Sequence, residues 1–155
     1  MFLGQYQHNL DDKGRLTIPA AFRDVLGEGA TISQGFDRNL MVMTAGYFKS
    51  VYDRVSAMSI TDPMTRLLRR LLLSNAYKVE LDKAGRILVP PNSRQFLELK
   101  AEVMLIGQGE YFEIWKPVDW EIQKQALQDT EANAQRFALL DLSLFNGNGA
   151  GLVGK

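Results

Sequence analysis

The sequence predicts a β-rich α+β fold made of two tandem copies of one hairpin-and-helix unit. Three observations predict it. The stretch Leu81-Asp82-Lys83-Ala84-Gly85-Arg86-Ile87-Leu88-Val89-Pro90 repeats Leu10-Asp11-Asp12-Lys13-Gly14-Arg15-Leu16-Thr17-Ile18-Pro19 at an offset of 71 residues. At that same offset Tyr6 falls on Tyr77, Arg23 on Arg94 and Leu26 on Leu97. Apolar and β-prone residues alternate on both sides of the motif (Tyr77, Val79, Leu81, then Ile87, Val89), and a proline closes it. Self-similarity at a fixed period marks a duplication, and the rest of the chain joins, covers or extends two equivalent units.

The motif has a local physical basis. Asp11 and Asp82 open a turn, where an aspartate bonds its own backbone two residues on. Gly14 and Gly85 take the fourth position, whose conformation other residues resist. The four residues 82–85 therefore reverse a hairpin, and residues 11–14 do the same. Pro90 suits the first turn of a helix, where its missing N–H removes no bond. Arg15 and Arg86 follow directly after each turn, at the tip.

In chain order, residues 5–10 and 15–18 form the first hairpin and residues 19–26 a short helix, stopped by Gly27 and Gly29. Residues 30–34 and 40–43 are strands around a turn at 35–39. Thr44 caps a helix running to about Ser56, with Tyr47, Phe48, Val51, Val55 and Met58 as its apolar stripe. Repeat one spans residues 5–52. Residues 60–75 have no counterpart in the second half. Asp62-Pro63 starts a helix there, with Met64, Leu67, Leu68, Leu71 and Leu72 on one face and Arg66, Arg69 and Arg70 on the other. That arginine stripe is either a solvated or intersubunit face, or a set of phosphate contacts.

Repeat two spans 76–122: a hairpin at 77–89, a helix at 90–99, strands at 102–107 and 111–115, and a closing helix opened by Pro117. Residues 129–144 form a further amphipathic, mostly acidic helix carrying Phe137, Leu140 and Leu144. Residues 145–155 are a glycine-rich tail that holds no regular structure unaided.

Composition narrows the function. Apolar residues make up 46% of the 155, ample for a core, and cysteine is absent, which removes a disulfide framework and any thiolate metal site. The first five residues lack a secretory pattern, and no apolar run exceeds four residues against the roughly 20 a membrane span needs. A cytoplasmic protein with no membrane partner is expected. Net charge is zero, yet residues 62–100 carry +4 and residues 101–142 carry −5. The molecule is polarised along its chain, and a global zero can hide a basic face.

Catalytic chemistry finds no purchase. His8 is the only histidine, without the partners a metal site or triad requires. Asp11-Asp12 sits in a turn and does turn chemistry. Gly107-Gln108-Gly109 lacks the strand-turn-helix context of a nucleotide loop. Tyr111, Phe112, Trp115 and Trp120 read as core. Neither an enzyme nor a cofactor or metal is expected.

The duplicated Asp-x-x-Gly-Arg, the linker ending Arg-Arg-Leu-Leu-Leu, and the runs Val-Met-Leu-Ile-Gly-Gln and Phe-Glu-Ile-Trp resemble the MraZ family over about residues 1–144. These are bacterial transcriptional regulators built from two domains similar to AbrB and SpoVT. The resemblance implies a swapped-hairpin, double-split β-barrel with a pseudo-twofold made from the two repeats. It also implies a ring-like homo-oligomer, association with the nucleoid, and binding of double-stranded DNA at short G-rich direct repeats upstream of its own division and cell-wall operon, mostly to repress it.

Carried over by motif position, Arg15 and Arg86 face DNA. The arginine fork suits guanine O6 and N7, and Lys13 and Lys83 beside the turns would neutralise phosphate. The lysines are not equivalent, since Asp12 stands where the second copy has Lys83, and Lys13 where it has Ala84. The alternative role is bracing, with Arg15 and Arg86 paired to Asp11 and Asp82. At the level of function, the alternative is a structural oligomerisation module with little or no specific DNA binding.

Overall fold

Each repeat lays down the same elements in the computed structural model, which describes residues 1–27 and 29–141. Repeat one contributes β1 (Gln5–Asn9), β2 (Arg15–Thr17), α1 (Ala20–Leu26), β3 (Ala30–Gln34), β4 (Asn39–Thr44) and α2 (Ala45–Ser56). After α3 (Pro63–Leu73), repeat two contributes β5 (Tyr77–Val79), β6 (Arg86–Leu88), α4 (Pro91–Leu97), β7 (Glu102–Gly107), β8 (Tyr111–Trp115) and α5 (Pro117–Gln128). A last helix, α6 (Thr130–Phe137), follows. Leu144 and the glycine-rich stretch 145–155 lie outside the described residues.

The chain forms two compact units, Met1–Trp120 and a second beginning at Glu121. In the first, six strands make one antiparallel sheet in the order β1-β7-β8-β4-β3-β5, and β2 and β6 make a separate two-stranded ribbon. Under the duplication β1 corresponds to β5, β7 to β3 and β8 to β4. The sheet order therefore reads the same from both ends, with a pseudo-twofold between β8 and β4 and another crossing between β2 and β6. The α+β class and the tandem architecture are as expected. Continuous strand pairing does not close the implied barrel, since β1 and β5 remain edges.

The two hairpins expected from the sequence exist only at their tips. Around the first turn Asp11 N–H donates to Arg15 O (2.9 Å) and Gly14 N–H to Asp11 O (3.0 Å), and one bridge joins Leu10 to Leu16. Beyond that the arms part. β1 pairs with β7 over Gln5↔Ile106 to Asn9↔Glu102, while β2 pairs with β6 through Leu16↔Ile87. β5 likewise pairs with β3, not β6. The reason is burial: an isolated two-stranded hairpin is marginal in water, and it would leave Leu16, Ile18, Ile87 and Val89 half wet. Crossing between repeats buries all four to 1% exposure or less.

One core fills the space between the sheet, the ribbon, α1 and α4. Phe2, Phe22 and Phe112 meet at its centre with ring centroids 5.0–5.2 Å apart. Trp115 and Trp120 pack with Ile106 on the sheet's other face. The aromatic run expected to be core is core, apart from the half-buried Tyr111, which stacks on Tyr47. Predicted caps form: the Thr44 side chain accepts from Tyr47 N–H (3.2 Å) and Asp62 from Met64 N–H (2.9 Å).

The apolar stripe of α3 is only partly covered. Leu72 and Thr65 face inward, whereas Met64 and Leu67 are 71% and 59% exposed. The buried side chain Ser33 ties β3 to this helix by donating to Leu72 O at 2.7 Å. In the second unit Asp129 caps α6 through Ala132 N–H at 3.1 Å, and Phe137 and Leu140 are exposed. No helix among the described residues is long and apolar enough to cross a membrane.

Candidate nucleic-acid interface

The ribbon carries the motif arginines on one face. Alternation along β2 and β6 points Leu16 and Ile87 into the core, so Arg15, Thr17, Arg86 and Leu88 point outward. The two strands run antiparallel in the register Arg15↔Leu88, Leu16↔Ile87, Thr17↔Arg86. The two turns therefore flank the ribbon at opposite ends. Lys13, Lys83 and Ala84 are exposed on them.

Each turn is built by its aspartate. Asp11 Oδ1 accepts from the N–H groups of Lys13 (3.0 Å) and Arg15 (2.8 Å), and its Oδ2 accepts from Arg15 Nε at 2.6 Å. Asp82 repeats this with Ala84 N–H, Arg86 N–H and Arg86 Nε, all at 2.9 Å. The Arg15 backbone N–H, followed by its side chain, holds the Asp11 carboxyl below the ordinary aspartate range. Arg86 does the same for Asp82. Arg86 Nη1 also lies 4.0 Å from Asp11 Oδ2, an ion pair between the repeats.

The geometry shows the bracing role and leaves part of each guanidinium outside it. Each guanidinium braces its turn through Nε and keeps Nη1 and Nη2, the pair that suits a guanine edge, outside that bond. Arg15 retains 35% side-chain exposure and Arg86 31%. Bracing restricts each fork's rotamers without covering it, and a pre-ordered fork loses less entropy when it binds.

The predicted linker arginines lie on α3, apart from the ribbon and its turns. Arg66 is engaged there: its Nη1 donates to the carbonyls of Ile60 (3.0 Å) and Thr61 (3.1 Å), closing the loop before the helix. Arg69 is half-buried and Arg70 exposed.

Two further arginines support the ribbon from beneath. Arg23 Nε donates to Ile18 O at 2.8 Å, and Arg94 Nε to Val89 O at 3.1 Å. The backbone N–H groups of Ile18 and Val89 donate in turn to Gly85 O and Gly14 O, each at 2.9 Å. Each repeat's turn glycine is therefore held by the other repeat's strand. The matched positions of Arg23 and Arg94 in the duplication were the available signal for this pair, but they gave no indication of its partner.

Fold and site together define a two-repeat α+β protein with one arginine-bearing ribbon shared between its halves. The family model for the MraZ protein matches the chain twice, over residues 1–71 and 72–141. The chain is 46% identical to the transcriptional regulator MraZ of Roseiflexus castenholzii over 138 residues, covering 89% of this chain and 94% of that protein. It is 40% identical to the protein of that name from Thermomicrobium roseum over 141 residues, 90% and 99% of the two chains. With the one from Desulfitobacterium hafniense the identity is 37% over 134 residues, 86% and 94%. The chain belongs to the MraZ family.

Proposed function

We propose that this chain is a sequence-specific DNA-binding transcriptional regulator whose β2–β6 ribbon enters the major groove. Arg15 and Arg86 engage guanine edges, and Lys13 and Lys83 engage phosphates. The observation that carries the reading is the presentation of both motif arginines on the outward face of a single two-stranded ribbon. Such a ribbon fits a groove about 12 Å wide, and a bidentate arginine–guanine contact discriminates by about 1–3 kcal/mol. The transcriptional role in the names of its relatives agrees.

Charge argues for many copies acting together. The ribbon and its turns carry the cations Lys13, Arg15, Lys83 and Arg86 against the carboxylates Asp11, Asp12 and Asp82. So small an excess holds DNA weakly, and linking many ribbons raises effective concentration. The reading therefore includes a ring-like homo-oligomer with aligned ribbons, to which the exposed Met64 and Leu67 of α3 offer apolar contact surface. The target is a set of short G-rich direct repeats upstream of the chain's own division and cell-wall operon, the outcome repression, and the location the nucleoid.

The test is a titration of the upstream fragment and a shuffled duplex across a salt series, with light scattering on the free protein. A regulator prefers the upstream fragment, and its affinity falls steeply with salt as counterions are released. A protein that oligomerises but binds neither duplex is an assembly module, and the reading fails. A stable monomer at micromolar concentration removes the ring.

A further inference from the structure

The two repeats agree at the ribbon arginine and differ two residues later. Thr17 and Leu88 occupy the same place in the duplication, 71 residues apart. Both lie on the outward face, Thr17 directly opposite Arg86 and Leu88 directly opposite Arg15. Leu88 is 53% exposed. A lone surface leucine carries no message. This one stands two residues from Arg86 on its own strand and across from Arg15 on the other, in the middle of the face that would meet DNA.

We propose that Leu88 is a specificity-determining residue that reads thymine by its C5-methyl group, beside the guanine engaged by Arg15. The inference rests on the DNA-binding function proposed above. Every base pair shows hydrogen-bonding groups in the major groove, and thymine alone adds a methyl. Leucine has neither donor nor acceptor, so against any other edge it strips water from polar atoms and returns no bond. Thr17 carries a hydroxyl that bonds either kind of group, so it penalises a polar base edge far less than leucine does.

The dimensions agree. Residues directly opposite on a ribbon lie about 5 Å apart, which sets Leu88 and Arg15 on the same or neighbouring base pairs. Residues two apart along a strand are separated by about 6.7 Å, close to two nucleotide steps of about 3.4 Å. One half of the ribbon, Arg86 with Thr17, is wholly polar, and the other, Arg15 with Leu88, is half apolar. A pseudo-symmetric ribbon thereby acquires a direction. It binds a non-palindromic element in one orientation, as direct repeats require and inverted repeats do not.

The experiment uses the full chain and a duplex from the region upstream of its own gene, read by fluorescence anisotropy. Each thymine is replaced in turn by deoxyuridine, which removes only the methyl. At one thymine per bound element the affinity should fall about fourfold, the effect of withdrawing one buried carbon from apolar contact. Leu88→Ser and Leu88→Asn, which present no methyl group, should bind the two duplexes alike, and Leu88→Met should keep the distinction. If the upstream duplex is preferred over a shuffled one but no thymine matters, the Leu88 role is wrong and DNA recognition stands. If no duplex is preferred, recognition itself fails and takes this role with it. A uracil penalty that persists in Leu88→Asn assigns the methyl to another residue and also overturns the proposal. The uracil series needs no variant, so its outcome does not depend on how any variant folds.

Discussion

The guanidinium of Arg94 fills the space that a side chain at Gly14 would need: a β-carbon there would lie 2.5 Å from Arg94 Cζ. Arg23 stands over Gly85 in the same way, at 2.6 Å. The duplication has therefore produced a reciprocal lock, in which each repeat's helix arginine closes over the other repeat's turn.

We predict that Gly14→Ala and Gly85→Ala each destabilise the first unit. The glycines sit at φ +82° and +76°, where an L-residue loses about 1–2 kcal/mol from backbone conformation alone. Displacing the arginine adds to this, because its Nε bond to Val89 O or Ile18 O must break. Urea midpoints measure the loss. In a double-mutant cycle, Gly14→Ala with Arg94→Ala should cost less than the two changes summed, since the second relieves the clash. Strict additivity would mean that the lock is not a contact.

Arg15→Ala should abolish preference for the upstream duplex while leaving melting temperature and oligomer size nearly unchanged, because a partly exposed ion pair is screened by solvent and contributes little to stability. Loss of one arginine–guanine contact weakens specific binding by about 1–3 kcal/mol for each engaged ribbon. Arg15→Lys should fail almost as badly, because it keeps the charge and loses the fork. Lys13→Ala should instead weaken upstream and shuffled duplexes alike and flatten the salt slope. Arg86→Ala is the informative comparison: an equal loss means both repeats read bases, and no loss makes the second turn structural. An Arg15→Ala protein that unfolds would leave bracing as that residue's whole role.

Acid should weaken the fold in two separate windows. Burial, then the charge of Arg23, lowers the pKa of His8 below the ordinary histidine value. The unfolded chain therefore binds that proton first, and stability declines as pH falls from about 6.5 toward the folded value. His8→Gln should remove this slope. Asp11 and Asp82 are depressed as well, through the N–H groups of Arg15 and Arg86. Their contribution is intact above the ordinary aspartate value of about 3.9 and is lost as pH falls through the folded values below it. Asp11→Asn with Asp82→Asn should flatten the lower window alone. Thermal melts between pH 3 and pH 8 distinguish the two.

What was legible in the sequence was local. Alternation, turn chemistry and capping depend on residues within a few positions of one another, so the strands, the Asp11 and Asp82 turns, and the caps at Thr44 and Asp62 could be read directly. Strand partners could not be read. Leu16 has the same alternating pattern whether it pairs within its own hairpin or with Ile87, and only the burial available across the repeats decides between them. The role of Arg23 and Arg94 was hidden for the same reason, because each acts on a turn about 60–80 residues distant in the chain. For α3, periodicity shows that the helix has an apolar face without showing whether this chain covers it. Met64 and Leu67 are apolar at the right spacing and remain exposed.

The shared ribbon also bears on how the protein is made. β2 finds its ladder partner only in β6, β1 in β7, and β3 takes its second partner from β5. A ribosome that has delivered repeat one alone has released a segment with no strand for β2 to join and no place to bury Leu16 and Ile18. The arginine-bearing ribbon cannot exist until residues beyond Leu88 have left the exit tunnel, and pairings of such long sequence separation form slowly. Truncated translation products would therefore carry one motif arginine but no ribbon to hold it.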